Sequence, residues 1–240
     1  MKKLFLISGP SCVGKGPLLK AINEFYPELY IGEIPIIKSH ECRYGKPRTN
    51  EVDIWDNPDY FMPANQIINL DKNRFFIGDC RGFPQAIDTY KLNGISEKIV
   101  ILEVYHLIGA RFAAWAKGNL LNIAYETVFI SPLSPEEITD LYAIGVDICQ
   151  YVTSLMINKQ LQRARLFGKD VSSEEEIRDI MKRASDTYEE MQSMNQYTSL
   201  IINRDGEGNP NWHIKDGSFY KKPEGDAGRA LAKLVEIIAK

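Results

Sequence analysis

The chain of 240 residues contains few of the side chains that hold metal clusters or covalent cross-links. It has four cysteines, none in a C-x-x-C pair, and three histidines that stand alone in sequence. Paired cysteines and closely spaced histidines are typical of zinc sites, so we expect no zinc site. Widely spaced free thiols suit a reducing compartment, where a cysteine most often acts as a small buried hydrophobic group. The cysteines are Cys12, Cys42, Cys80 and Cys149.

Long apolar runs and an excess of positive charge are also missing. The N-terminal apolar run, residues 4–7, is too short for a signal peptide or a membrane span, so we expect a cytoplasmic protein without membrane contact. The net charge of −3 argues against a nucleic-acid partner, since domains that bind nucleic acid are usually basic. Hydrophobic residues make up 44% of the chain, enough for a substantial globular core. These observations favour a soluble protein that binds a small anionic ligand.

A phosphate-binding loop is the strongest motif in the chain. The apolar run Leu-Phe-Leu-Ile leads into Ser-Gly-Pro-Ser-Cys-Val-Gly-Lys-Gly, which has the G-x-x-x-x-G-K spacing of a nucleoside triphosphate cradle. In such a turn the backbone N–H groups converge on a phosphate, the following helix adds its positive end, and the lysine reaches the terminal phosphates. The residues predicted to bind the ATP phosphates are Gly9, Ser11, Cys12, Val13, Gly14, Lys15 and Gly16.

The end of this loop departs from the motif at two adjacent positions. Position 16 normally carries a serine or threonine hydroxyl that holds Mg2+, and here it is Gly16. Pro17 follows in the first turn of the helix, where its missing N–H removes one donor from the cradle. The G-K-G sequence is similar to the G-K-G-T of adenylate kinases, which still transfer phosphate. We therefore expect Mg2+ to act as a cofactor with ATP, held mainly through phosphate oxygens and water.

Strand-like runs alternate with longer segments of helical spacing. This alternation predicts an α/β fold with a parallel sheet covered by helices. A first helix is expected to end near Pro27, and another is expected to begin at Ser172 or Ser173, each followed by a glutamate three residues later. Two segments, residues 32–64 and 145–170, fit neither pattern. We interpret the first as a lobe that binds the phosphate acceptor and the second as a lid. The predicted strand runs are residues 4–7, 75–77, 99–104, 127–130 and 200–202.

Beyond the loop, the chain resembles the guanylate kinase family in the order and spacing of several short blocks. They are S-H-E-C-R-Y-G-K-P-R-T-N-E-V from residue 39, D-Y-F from residue 59, V-F-I-S-P-L-S-P-E-E-I from residue 128, K-R from residue 182 and L-I-I-N from residue 200. The resemblance implies a P-loop NTPase fold: a parallel sheet with helices on both faces, an inserted lobe for a nucleoside monophosphate, and a lid. Within one domain, it places the core at residues 1–32, 91–144 and 171–240, the acceptor lobe at 33–90 and the lid at 145–170.

The same resemblance implies roles for individual side chains. The set predicted to bind the acceptor is Ser39, Arg43, Arg48, Tyr60, Asp79 and Glu103, of which the first four grip its phosphate. The set predicted to act in catalysis is Lys15, Arg48, Arg163, Arg165 and Arg183. These residue types suit such roles, because phosphoryl transfer depends on charge stabilisation and arginine binds phosphate through paired N–H donors.

Departures from the guanylate kinase pattern allow more than one identity for the phosphate acceptor. The two arginines of the acceptor motif are separated by four residues rather than two, and Ile77 stands where guanylate kinases read guanine with a glutamate. Asp79 and Glu103 are the remaining candidate carboxylates. The leading hypothesis is transfer of the ATP γ-phosphoryl group to a nucleoside monophosphate, with GMP as the first candidate. The alternatives are a non-catalytic guanylate-kinase-like binding module and a kinase of another phosphorylated small molecule, such as a ribose bisphosphate.

Overall fold

The computed structural model describes residues 2–43, 45, 47, 49–119, 123–166, 171 and 173–240. The chain divides into two compact units, each assembled from two segments. The first unit comprises Met1–Ile7 and Tyr30–Thr127, and the second comprises Ser8–Leu29 and Val128–Lys240. The finer division into core, acceptor lobe and lid stays a prediction.

Helices and strands alternate along most of the described chain. The strands are β1 (Lys2–Ser8), β2 (Ile31–Glu33), β3 (Ile37–Ser39), β4 (Phe61–Met62), β5 (Phe75–Cys80), β6 (Phe83–Asp88), β7 (Ile99–Glu103), β8 (Ile123–Ser131), β9 (Ser199–Ile202), β10 (Ile214–Lys215) and β11 (Ser218–Phe219). The α-helices are α1 (Lys15–Phe25), α2 (Ala64–Ile68), α3 (Thr89–Gly94), α4 (His106–Asn119), α5 (Pro135–Ala143), α6 (Ile148–Leu166), α7 (Glu174–Gln192) and α8 (Gly225–Ala239). Among the described residues, no helix combines the length and the apolar character needed to cross a membrane.

The first unit contains parallel strands in the order β2-β7-β1, followed by the beginning of β8. Leu4 lies opposite Val100, and Leu6 lies opposite Leu102. These four side chains are fully buried and belong to the same apolar cluster as residues of α4. Continuous apolar runs of this kind are typical of parallel strands that are buried on both faces. The strands predicted here from the sequence are therefore confirmed.

A second sheet of the first unit has the order β4-β3-β6-β5 and contains antiparallel pairs. Residues 75–77 form a strand as predicted, but this strand, β5, pairs antiparallel with β6 instead of joining the parallel sheet. A tight hairpin connects the two strands, and Arg81 and Gly82 adopt positive φ values of 57° and 87° in its turn. Apolar periodicity identifies a strand without identifying its partner, so the sheet assignment required the turn geometry.

The second unit contains the phosphate-binding loop, α1, and the parallel pair formed by the end of β8 and β9. Phe129 of β8 lies opposite Leu200 of β9 and belongs to an apolar cluster with residues of α6 and α7. Helix α8 packs against β9. Helix α1 buries Leu18 and Ile22 and ends before Pro27, as predicted. Parallel strands covered by helices, with a glycine-rich loop directly after β1, constitute an α/β P-loop fold.

Helix α7 begins where the sequence predicts. Ser173 is its N-cap, and the serine Oγ accepts a hydrogen bond from the N–H of Glu176 at 3.3 Å. This bond satisfies a backbone donor that has no partner within the helix. Ala184 and Met191 on the apolar stripe of α7 are buried in the cluster shared with α6. The cap and the stripe together set the start of α7 and the face that it presents to α6.

Candidate active site

The glycine-rich loop leaves β1 and turns sharply before α1. Gly9 and Gly14 adopt positive φ values of 148° and 93°, and Cys12 adopts 68°. A Cβ atom on Gly9 would lie 2.4 Å from the carbonyl oxygen of Ile130, which is too close for any side chain. The conformation of the loop therefore depends on glycine at its first turn, where the backbone packs directly against β8.

Gly14 is a second position of the loop where we expect a substitution to be destabilising. A Cβ atom there would lie 2.5 Å from Asn203 Nδ2 and 2.8 Å from Trp212. We expect Gly14→Ala to lower the free energy of unfolding by about 2–4 kcal/mol, because steric overlap adds to the strain of a positive φ. Denaturant unfolding measures the change, and Gly94→Ala is the control, since no described atom lies within 4 Å of a Cβ there. A Gly14→Ala protein as stable as the Gly94→Ala protein would contradict this expectation.

The segment that follows β9 holds the loop in place. Asn203 is fully buried, and its Nδ2 donates to the carbonyl oxygen of Val13, which is also fully buried, at 2.7 Å. Asn203 Oδ1 accepts from the N–H of Asp205 at 3.1 Å. The N–H of Glu207 donates to the carbonyl oxygen of Cys12 at 3.3 Å. Sequence motifs did not indicate this anchoring role, although Asn203 ends one of the blocks that resemble guanylate kinases.

Lys15 lies folded back over the loop. Its Nζ donates to the carbonyl oxygens of Gly9 at 2.7 Å and Pro10 at 2.8 Å. Lys15 and Ser11 are half-buried, whereas Gly16 is exposed. A phosphate in the loop offers Nζ charged acceptors, which form stronger hydrogen bonds than neutral carbonyl oxygens do. The ammonium group is therefore placed to exchange its carbonyl partners for phosphate oxygens.

Two arginines of the predicted catalytic set meet at a narrow cleft beside the loop. Arg163 of α6 donates from Nη1 to Cys12 Sγ at 3.2 Å and forms an ion pair with Glu207 at 3.1 Å. Arg183 of α7 donates from Nε to Asp179 Oδ1 at 2.9 Å. The structure thus brings both arginines to the wall of one cleft. The residues lining it are Cys12, Gln160, Arg163, Ala164, Glu176, Ile180 and Arg183.

The set predicted to act in catalysis contains two further arginines, Arg165 and Arg48. Arg165 is exposed and is not among the residues that line the cleft. It follows Arg163 by two positions, and residues two apart on a helix do not share a face. Arg48 lies outside the described residues. The resemblance therefore pointed to a segment of α6 that lines the cleft without showing which of its arginines faces the loop.

The thiol of Cys12 is buried between the loop and the helices. Its side chain is 2% exposed and belongs to the same apolar cluster as Phe129 and Met156. Burial raises the pKa of the thiol above its usual value, although the neighbouring Arg163 guanidinium acts in the opposite direction. A neutral thiol fits the expectation that Cys12 acts as a small hydrophobic group, with Sγ as an additional acceptor for Arg163.

Helix α6 carries two buried polar side chains that sequence motifs did not reveal. Lys159 is 6% exposed and Gln160 is 4% exposed. Within the described part of the chain, Lys159 Nζ and Gln160 Nε2 have no hydrogen-bond partner. Burial lowers the pKa of Lys159 to about 8, against the opposing attraction of Asp205. In the sequence these residues look like any polar pair on a helix, so only the packing identifies them.

The residues predicted to bind the acceptor belong to the first unit. Ser39, at the end of β3, is fully buried, and its Oγ has no hydrogen-bond partner among the described residues. Tyr60 is half-buried directly before β4, and its carbonyl oxygen accepts from the N–H of Lys38 at 2.8 Å. Because β3 and β4 are paired, Ser39 lies on the strand beside the one that Tyr60 precedes. Arg43 belongs to a short 3-10 helix, and only its backbone is described; Arg48 is outside the described residues.

The two carboxylates predicted to read the base have different surroundings. Asp79 is exposed near the end of β5, where its Oδ1 accepts from the N–H of Gly82 at 2.9 Å and closes the hairpin turn. Glu103 is exposed at the last position of β7, opposite Ile7 of β1. The sequence did not indicate the structural role of Asp79 in the turn. Base recognition by either carboxylate stays a prediction.

Comparisons with known proteins agree with the motifs. No family model matches the chain. It is 26% identical over 205 residues to a guanylate kinase of Synechococcus sp., covering 83% of this chain and 85% of the relative. It is 28% identical over 211 residues to a guanylate kinase of Trichormus variabilis, covering 85% of this chain and 84% of the relative. The crystal structure of guanylate kinase from Anaplasma phagocytophilum has a TM-score of 0.46 and 17% identity, covering 85% of this chain and 78% of that one. The similarity to curated relatives over most of the chain confirms the resemblance that the motifs indicate: the chain is similar to guanylate kinases over more than four fifths of its length.

Proposed function

We propose that this protein transfers the γ-phosphoryl group of ATP to a nucleoside monophosphate, with GMP as the first candidate. The observation that carries the proposal is the cleft beside the phosphate-binding loop, which Arg163 and Arg183 line together with Cys12. With Lys15 in the same loop, these groups supply cationic N–H donors for a phosphoryl group, and each guanidinium is paired with a carboxylate, Arg163 with Glu207 and Arg183 with Asp179. The similarity to guanylate kinases supports the same reaction class.

Each charged group has a separate task in the proposed reaction. The loop N–H groups and the positive end of α1 hold the terminal phosphates of ATP. Lys15 moves from the carbonyl oxygens of the loop to phosphate oxygens. Arg163 and Arg183 neutralise the charge that builds on the transferred group, since phosphoryl transfer depends on such stabilisation. Asp179 holds the guanidinium of Arg183 in position for this task.

Mg2+ is expected to reach the site bound to ATP. In the part of the chain that the structure describes, no group of three or more His, Cys, Asp or Glu side chains could hold a metal ion by itself. Position 16 carries no hydroxyl, so phosphate oxygens and water supply most of the ligands. One carboxylate is close: Glu207 Oε1 would lie 4.0 Å from a Cβ atom on Gly16. This hard oxygen donor suits Mg2+, which when bound neutralises phosphate charge.

The proposed acceptor site lies in the first unit. Ser39 Oγ is buried without a hydrogen-bond partner among the described residues. A buried hydroxyl in that state is unfavourable unless a ligand satisfies it, and a phosphate oxygen would do so. Tyr60, directly before the neighbouring strand β4, adds a second hydroxyl. The resemblance to guanylate kinases adds Arg43 and Arg48 to the residues that would bind the acceptor phosphate.

One observation favours an acceptor other than GMP. Asp79 closes a hairpin turn through its bond from Gly82, and Ile77 replaces the glutamate with which guanylate kinases read guanine. Losing one acceptor from a desolvated base pocket lowers discrimination by about tenfold to a hundredfold. Rates measured with ATP and a panel of nucleoside monophosphates and ribose bisphosphates distinguish these substrates. A preference for a ribose bisphosphate would replace GMP in the proposal without changing the reaction type.

Lys15→Ala tests the proposed function directly. We expect the wild-type protein to release ADP only when an acceptor is present, and the variant to lose about a hundredfold of that rate, because a preorganised cation is missing from the phosphates. A coupled ADP assay measures the rate, and exposed Lys20 on the same helix provides the control, Lys20→Ala.

Two results of the same experiment would contradict the proposal. Absence of ADP with every nucleoside monophosphate, at millimolar substrate and with Mg2+, would exclude phosphoryl transfer to a nucleoside monophosphate. A thermal shift by ATP that Lys15→Ala leaves unchanged would instead favour a non-catalytic binding module, since such a module does not need a lysine that grips phosphate.

A further inference from the structure

We infer that Glu207 takes over the role of the hydroxyl missing at position 16, as the carboxylate that binds the water shell of the Mg2+ ion carried by ATP. The inference rests on the proposed function, because it concerns the same phosphate-binding loop. It adds a positioning residue that lies 191 positions from Gly16 in the sequence.

The first argument is the direction in which residue 16 would extend a side chain. Gly16 is exposed at the second position of α1. A Cβ atom built there would have Glu207 Oε1 as its neighbour at 4.0 Å, in ordinary van der Waals range. A serine hydroxyl would start from that Cβ, so the Glu207 carboxylate occupies the neighbourhood that the hydroxyl would serve. Carboxylate oxygens are among the preferred protein partners of Mg2+ and its bound waters.

The second argument is that Glu207 is held in place by the backbone around it. Its N–H donates to the carbonyl oxygen of Cys12 at 3.3 Å. A Cβ atom on Gly206 would lie 3.1 Å from the carbonyl oxygen of Cys12, and one on Gly208 would lie 3.3 Å from the backbone nitrogen of Arg163. The segment on either side of Glu207 therefore packs closely against the loop and α6. A carboxylate fixed in this way needs little ordering when its partner arrives.

The third argument is the charge around the two carboxylate oxygens. Glu207 Oε2 pairs with Arg163 Nη1 at 3.1 Å, whereas Oε1 is the oxygen near Gly16. The side chains of Glu207 and Arg163 are 19% and 14% exposed, so their charges are only partly screened by water. A carboxylate here repels ATP that carries no metal and attracts ATP that carries Mg2+. It also competes with phosphate for Arg163, and this arginine would be able to turn toward the transferred group if Glu207 engaged a cation instead.

The test compares the dissociation constant of ATP in excess EDTA with that in Mg2+, measured by titration calorimetry. We expect the ratio of these constants to fall about tenfold or more in Glu207→Gln, because groups that orient a metal's ligands are typically worth 10–100-fold in affinity. Glu24→Gln removes the same charge from an exposed position on α1 and is expected to keep the wild-type ratio.

Two further variants separate contact with the hydrated ion from charge alone. Glu207→Asp keeps the charge but withdraws it by one methylene, so the ratio should fall if position matters. Gly16→Ser combined with Glu207→Gln restores a hydroxyl without restoring charge, so the ratio of dissociation constants should return toward the wild-type value. A wild-type ratio in Glu207→Asp or in Glu207→Gln would overturn the inference, and so would a double variant that shows no recovery.

Binding by the wild-type protein distinguishes this inference from the function on which it rests. If the wild-type chain binds Mg2+-ATP and transfers phosphate but its variants keep the wild-type ratio, the inference fails and the proposed function stands. If the wild-type chain binds no ATP under either condition, the proposed function fails and the inference fails with it.

Discussion

An Arg183→Met protein is expected to transfer phosphate about a thousandfold more slowly than the wild type, with little change in ATP affinity. Arg183 lines the cleft beside the phosphate-binding loop, and its side chain is 15% exposed. Asp179 contacts its guanidinium through both carboxylate oxygens, which keeps the group oriented. Charge builds on the transferred group mainly in the transition state, so the loss should appear in kcat rather than in binding. Steady-state kinetics with ATP and the preferred acceptor measure both.

Arg178→Met is the matched control for this prediction. Arg178 is exposed on the same helix and is not among the residues that line the cleft. Its replacement removes an equal charge and should change kcat by less than about twofold, since surface substitutions have small effects. Thermal unfolding of both variants separates loss of catalysis from loss of folding, because Arg183→Met also removes the ion-pair partner of Asp179. Equal kcat values for the two variants at equal stability would contradict a catalytic role for Arg183.

Replacing Lys159 by methionine is expected to stabilise the protein by about 3 kcal/mol at pH 7, given that burial lowers the pKa of this lysine from 10.5 to about 8. Below pH 8 the folded protein holds a buried ammonium group that the unfolded chain exposes to water. Between pH 8 and 10.5 the unfolded chain binds more protons at this site, so the wild type gains stability as the pH rises. Methionine has a similar length and needs no hydrogen-bond partner, so it removes the penalty at every pH.

Urea unfolding at pH 7 and at pH 10 measures this effect. The advantage of Lys159→Met should be largest at pH 7 and should shrink toward pH 10, where the wild-type lysine is neutral in the folded protein. Lys182→Met, an exposed position on α7, is the control and should change stability by less than about 0.5 kcal/mol at either pH. An advantage that is the same at both pH values would show that packing, rather than the buried charge, is responsible.

Local sequence patterns were sufficient to predict most strands and several helix ends. The apolar run at residues 4–7 lies in β1, and Ser173 caps α7. Helix α1 ends before Pro27, whose fixed φ and missing N–H do not suit a helix interior. Each of these features depends on residues within about one turn or one strand. The sheet that contains β5 was not predicted, because strand pairing depends on contacts that periodicity does not describe.

The spacing of the motif also predicted part of the candidate site. It identified Lys15 and the glycines of the loop, because the cradle is one continuous segment. The resemblance to guanylate kinases did not separate Arg163 from Arg165, since the packing of α6 decides which arginine faces the loop. Asn203 and Glu207 were not predicted as partners of the loop, and nothing local distinguishes them from other polar residues. The buried state of Lys159 was equally invisible in the sequence.

By itself, the sequence determined the α/β pattern, the phosphate-binding loop and the resemblance to guanylate kinases, because each rests on residues that are close together in the chain or on short blocks in a fixed order. The tertiary structure decided which side chains surround the loop. Asn203 contacts Val13 across 190 positions, and Arg163 contacts Cys12 across 151 positions. Contacts over such separations arise only when helices and strands pack. Their packing therefore decides which charges stand beside the altered end of the loop at Gly16.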